Sequence, residues 1–490
     1  MKSLILSLLL ILIPSSLSAQ QNLNFDDYFY DKTMRIDYYH IGDISTEIVT
    51  LDKIYVYGIW AGSLKNLIDN LNNGKYYVKV YDKKSGKPIF SKGFDTYFGE
   101  YKTTTKAADG IKRAYHESVL IPYPKSIISF AIEKRNRVNE LEEFFRADIN
   151  PEDVSIIRDS ILSSSVRVFE DKNNGDPHNR VDIAILAEGY TILEKQKFEN
   201  DLKRFTNIFL NNEPYKSYID KFNFYGVFKP SEESGVDEPD ADIFKNTVLN
   251  ATFNSLGSAR YLLTEDNKNM RDIAAHVPYD AIYIMVNSKR YGGGGIYNLY
   301  CTFTADNQWH EYLFLHEFGH SFAGLADEYY TSDVAYNEFY PNGIEPVEPN
   351  ITALLNPPNI KWEKFISLGI EIPTLWEKSA YDSMDYEWQS QRKKLNDAIT
   401  ELKRNKSSIT EISNAEDEYN RKDKAHAEEL DKFLKSSKFS GKVGAFEGAG
   451  YSSKGLYRPM LDCIMFSKGK KPFCRVCEEA IITIIKQYSK

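Results

Sequence analysis

Apolar and polar positions follow two rhythms along this chain, and the change between them divides it. From residue 24 to residue 150 the rhythm is β-like. Lys53-Ile54-Tyr55-Val56-Tyr57-Gly58 and Tyr76-Tyr77-Val78-Lys79-Val80-Tyr81 alternate, residues 127–132 form a largely apolar run, and residues 82–88 form a polar turn. Successive strand side chains point to opposite faces, so such segments predict half-buried strands. Together they predict an antiparallel β-sandwich over 24–150. A polar bridge, DKNNGDPHN at 171–179, leads out of it. The pattern then changes to a short apolar strand at 181–187, an amphipathic helix at about 193–210, and strands at 222–228 and 281–286. Strands alternating with helices predict an α/β domain, assigned to residues 165–490. Charged residues at helical spacing from about 385 to 435 predict a solvated helical hairpin or lid-like arm, an insertion at about 376–437.

Residues 309–322 read WHEYLFLHEFGHSF. Leu313, Phe314, Phe318 and Phe322 form an apolar stripe at helical spacing. His316 and His320 stand four residues apart, a little over one turn, so both rings leave the same face. Two neutral imidazoles so placed can hold one Zn²⁺, and Glu317 beside them is the candidate general base. The plainer alternative is a core helix with two hydrogen-bonded histidines. Burying two His and a Glu in an apolar helix without a metal or partners is costly, which favours the metal reading. A catalytic zinc needs a third protein ligand and an open position. Gly324 can take the left-handed conformation that ends a helix. Asp327 and Glu328 follow the turn, and Asp327 is the preferred ligand of the two. Upstream, residues 291–296 read YGGGGI. They lack the residues of a phosphate loop and read instead as a sheet edge or loop bordering a cleft.

The string HEFGHSFAGLADEY resembles the zinc helix of the bacterial IgA-metallopeptidase family, a metzincin-like group. The chain departs from the usual metzincin pattern in carrying Ala323 where that pattern has Gly, with Gly324 and Asp327 each one residue late. The resemblance implies an α+β multidomain fold, with an N-terminal antiparallel β-sandwich accessory domain followed by a metzincin-like zinc peptidase α/β domain. It implies Zn²⁺ as cofactor, held by His316, His320 and Asp327, with Glu317 catalytic. It places Met465, in the Cys-Ile-Met piece, in a structural methionine turn beneath the metal. Tyr451, Tyr457 and Arg458 lie near that turn, and Tyr457 is taken as the transition-state stabiliser. The implied activity is endopeptidase cleavage of a protein or peptide, a host glycoprotein being one candidate. A non-catalytic glycan- or protein-binding module on the same scaffold is the alternative, and an intact Glu317 argues against it.

Composition narrows the setting. Residues 1–19 carry Lys2, a short apolar run and a small-residue exit, so they read as a signal peptide and the protein as secreted or periplasmic. No segment is apolar enough to span a membrane. A formal charge of −9 and a pI near 5.6 exclude the electrostatics of a nucleic-acid binder. The four cysteines, Cys301, Cys463, Cys474 and Cys477, favour disulfides in an exported chain. A four-thiolate zinc site is the alternative. The acidic loop at 231–242 lacks a calcium-binding spacing and reads as solvated.

Overall fold

The structure, a computed structural model, describes residues 23–331 and 339–489. The expected leader, residues 1–19, lies outside the described residues.

Two antiparallel sheets make the N-terminal half. One has three strands in the order Glu47–Tyr57, Phe29–Gly42, Arg113–Pro124. The other has four, in the order Pro88–Phe94, Tyr76–Asp82, Ile128–Arg135, Leu141–Ile149. Their shared core takes residues two apart on each strand: Met34 and Ile36, Val119 and Ile121, Val78 and Val80, Phe130 and Ile132. This is the period of a pleated strand with one face turned inward, so the two sheets form a sandwich.

The C-terminal half is built on a six-stranded mixed sheet. Its order is Gly293–Ile296, Tyr300–Thr304, Ala281–Val286, Val181–Glu188, Phe222–Phe228, Arg167–Lys172. The four inner strands are parallel and the two edge strands antiparallel to their neighbours. Val181–Glu188 and Phe222–Phe228 are buried along their whole length, because both faces of the sheet are covered. On one face lies the helix Lys195–Leu210, which buries Phe198, Leu202, Phe205 and Phe209 along a single stripe. The helix His310–Ala323 packs on this same face. The other face meets the helix Asn267–Ala274 and the aromatic cluster Tyr97, Phe98, Tyr101 and Tyr115 from the N-terminal half. The two halves therefore share a core. Arg35, fully buried, ties them further by pairing with Asp37 and, at 2.7 Å, with Asp272.

The charged insertion folds as two helices, Lys378–Arg404 and Ile409–Ser436, packed on one another. Tyr381, Trp388, Leu430 and Leu434 are buried, whereas most of its charged positions face solvent. Lys403, near the loop joining the two helices, reaches Glu238 at 3.2 Å, and Arg404 bonds the Asp240 carbonyl. Glu238 also pairs with Arg290 at 3.0 Å. The acidic loop is thus bridged by basic side chains, a correction to its reading as merely solvated. Among the described residues no helix is long and apolar enough to cross a membrane.

Candidate metal centre and cleft

The helix His310–Ala323 buries His316 and Glu317 and ends at Gly324, whose φ of +61° is the left-handed conformation that the turn requires. Past that turn the chain doubles back under the helix. The Gly324 and Leu325 amides bond to carbonyls of the helix's last turn. Asn350 then holds the returning segment from the far side. Its side chain accepts from the Ala326 amide and donates to the Ala326 carbonyl, both at 2.8 Å.

This arrangement brings three ligand atoms together. His316 Nε2 and His320 Nε2 are 3.1 Å apart, and Asp327 Oδ1 stands 3.0 Å from the first and 3.3 Å from the second. With metal–ligand bonds of about 2.0–2.2 Å, neighbouring corners of a tetrahedron are about 3.4 Å apart, so these separations suit one divalent cation. Asp327 Oδ1 is buried and, the two ring nitrogens aside, has no hydrogen-bond partner among the described residues, and such an atom calls for a partner. Burial opposes ionisation of Asp327, but the two imidazoles outweigh it and hold the carboxyl well below its ordinary range. A buried carboxylate oxygen converging with two ring nitrogens is a donor set that fits a metal.

Each candidate ligand is oriented from behind. His316 Nδ1 bonds the Ile464 carbonyl at 3.0 Å, and His320 Nδ1 bonds the Leu325 carbonyl at 2.5 Å. Such bonds fix the ring and direct its other nitrogen at the metal position. The Tyr451 hydroxyl donates to Asp327 Oδ2. Tyr451 sits in the tight turn between the strands Val443–Ala449 and Ser452–Met460, with φ +54° at Gly450 and +64° at Tyr451. Two positive φ values in a two-residue hairpin are unusual for a tyrosine, and the strain delivers its ring to the site.

Of the residues singled out in the sequence, His316, Glu317, His320 and Asp327 line one cleft, and Tyr451 joins them. Glu328 points elsewhere, toward the cysteines. Met465 lies under the helix, where a Cβ on Gly319 would come within 2.9 Å of its sulfur. Tyr457 does not line the cleft, which corrects its expected role. It lies on the strand Ser452–Met460, and its backbone pairs with Thr352. Arg458 is fully buried, donates to the Gly448 and Leu461 carbonyls and lies over Phe466, so its work is structural. The disulfide expectation is not met either, because all four cysteines are free thiols. Cys301 is on the central sheet, bonded to the Ile282 carbonyl and apart from the other three.

The glycine run forms the edge strand Gly293–Ile296 beside the helix. A Cβ on Gly293 would lie 2.7 Å from Glu317 Oε1, and one on Gly295 would lie 2.4 Å from the Glu317 carbonyl. Only residues without side chains let this strand pass so close to the metal helix. Sequence reasoning missed Arg260 and Tyr329, which also line the cleft and bond to one another at 2.8 Å. Arg260 belongs to no local pattern, whereas Tyr329 closes the string HEFGHSFAGLADEY and gave no signal of its own there.

Residues 169–485 match the family described as IgA Peptidase M64, and residues 24–146 match its companion, Peptidase M64 N-terminus. The chain belongs to the IgA peptidase M64 family. This peptidase is therefore of a metal-dependent class and acts on proteins or peptides. The family assignment agrees with the α+β fold of the peptidase and its N-terminal sheets. No curated protein matches the chain.

Proposed function

We propose that the protein is an exported, zinc-dependent endopeptidase whose centre is His316, His320 and Asp327, with Glu317 as general acid and base. The observation that carries this reading is the convergence of two ring nitrogens and one carboxylate oxygen within 3.0 to 3.3 Å of each other. Two nitrogens and an oxygen are a zinc donor set that leaves one position open, whereas a calcium site would be all oxygen. When bound, zinc supplies a Lewis acid that polarises the scissile carbonyl and lowers the pKa of water.

The protein's own groups do the rest. Glu317 takes the proton of the attacking water and returns it to the leaving amine. Burial pushes its carboxyl up from the ordinary value, which makes it a better proton acceptor than an exposed glutamate. The Gly293 amide and carbonyl of the edge strand Gly293–Ile296 already bond the Arg260 carbonyl and the Leu262 amide, so an extended peptide adds as a further strand beyond that point, alongside Gly295. The Tyr329 hydroxyl accepts a bond from Arg260 and keeps its own proton for the substrate carbonyl oxygen as charge develops there. Asp385, Arg392 and His426 of the helical insertion line a pocket continuous with Arg260, Tyr291 and Tyr329, which supports a substrate-gripping role for that arm.

Cleavage of a peptide library, read by mass spectrometry, tests the reading. The purified protein cuts internal peptide bonds and a chelator stops it. Glu317→Gln retains the metal and loses roughly 10²–10⁴-fold in turnover. Full activity in that variant rules the mechanism out. Export through residues 1–19 is checked separately by the N-terminus of the protein recovered outside the cytoplasm.

A further inference from the structure

We propose that Glu328, Cys463, Cys474 and Cys477 form a second metal site, a closed structural centre for a thiophilic divalent cation of the zinc class, set behind the catalytic ligands. The four side chains come from three separate segments, and their ligand atoms all lie within 4.8 Å of one another. Cys463 and Cys477 sulfurs are 3.9 Å apart, and Glu328 Oε1 stands 3.2 Å from the Cys477 sulfur and 3.9 Å from that of Cys474. With zinc–sulfur bonds of about 2.3 Å, tetrahedral corners are separated by about 3.8 Å. A disulfide would need about 2.05 Å.

Several features of the pocket point to a bound cation. All four residues are buried, at 0–3% exposure. Glu328 Oε2 has no hydrogen-bond partner among the described residues, although the residue is completely inaccessible. Three thiols around a half-satisfied carboxyl is a poor way to fill a core, because buried acidic groups need compensation. Backbone amides also aim at the sulfurs. Those of Met465 and Cys474 donate to Cys463 Sγ at 3.4 and 3.1 Å, and that of Cys477 donates to Cys474 Sγ at 3.5 Å. Such donors favour thiolates, the form that binds metal. Cys474 and Cys477 stand at the start of the helix Arg475–Tyr488 with the two-residue spacing common to structural zinc sites.

A cation here would fasten together the parts that shape the catalytic centre. Glu328 follows the ligand Asp327. Cys463 immediately precedes Ile464, whose carbonyl orients His316, and Met465, which packs under Gly319. The Met465 carbonyl accepts from the Glu328 amide at 2.8 Å, so two of the segments are already joined by backbone. The site lacks an open position and is structural rather than catalytic.

Metal counting on the intact protein tests this independently of the peptidase reading. Elemental analysis of the full chain purified without chelator gives two equivalents of metal, and Cys474→Ser with Cys477→Ser gives one. In His316→Ala with His320→Ala, cobalt substitution still produces the near-ultraviolet thiolate-to-cobalt charge-transfer band. If the cysteine variant does not fold, the cobalt spectrum of the histidine variant decides alone. Absence of that band, or a mass for the intact protein lower by two hydrogens from a Cys474–Cys477 disulfide, overturns the second site. Presence of the band with no peptidase activity in the wild type leaves it standing while the catalytic reading falls.

Discussion

At the scale of single residues, the site is a hierarchy of atoms that hold other atoms. The two histidines were legible because their spacing is fixed by the helix itself and needs no knowledge of the rest of the fold. The choice between Asp327 and Glu328 is less local. It depends on the direction the chain takes after Gly324, and on Asn350 and Tyr451, which bond to that segment from positions no periodicity connects to it. The cysteine cluster was legible only in part: a four-thiolate site was open from the sequence, but Glu328 in place of Cys301 was not, since residue 328 and the segment 463–477 meet only in three dimensions. Tyr451→Phe tests the hierarchy. It removes one bond to Asp327 and leaves the ligands themselves intact, so zinc affinity, measured by competition with a chromophoric chelator, falls about 10–100-fold. Unchanged affinity would mean that Asp327 is held without it.

At the scale of elements, the edge strand and the metal helix are fitted by what the strand lacks. The run of glycines announced an unusual backbone in the sequence, but not why it is there. The structure supplies the reason, a helix backbone and the Glu317 carboxylate lying where side chains would be. Gly295→Ala places a Cβ 2.4 Å from the Glu317 carbonyl and 2.8 Å from His320 Cβ. Neither contact is with the end of a flexible side chain, so the strand must move. A destabilisation of about 1–3 kcal/mol is expected from overpacking, read as a lowered denaturant midpoint, together with reduced peptide cleavage. A variant as stable and active as the wild type would show that strand and helix are not tightly fitted. The insertion illustrates the converse case. Its charge pattern revealed two solvated helices, but the pairing of Lys403 with Glu238 joins positions too distant in sequence for any pattern to predict.

At the scale of the whole molecule, the N-terminal sandwich is joined to the peptidase half by a common core and by buried charge. Its own interior holds His40 between Glu117 at 2.9 Å and Glu47 at 3.0 Å. Burial works to lower the pKa of His40, but the two carboxylates outweigh it and raise it. A histidine with a raised folded-state pKa contributes stability that is complete below its unfolded value of about 6.5 and is lost as pH rises through the folded value. The melting-temperature gap between wild type and His40→Gln is therefore largest below pH 6.5 and narrows on the alkaline side. A gap that widens with pH would contradict this account of the cluster. The most direct test of the central claim is crystallographic. Anomalous scattering across the zinc edge, from crystals of the metal-replete protein, is expected to give a peak about 2.0–2.2 Å from His316 Nε2, His320 Nε2 and Asp327 Oδ1. A peak bound elsewhere, with these three atoms turned apart, would contradict it.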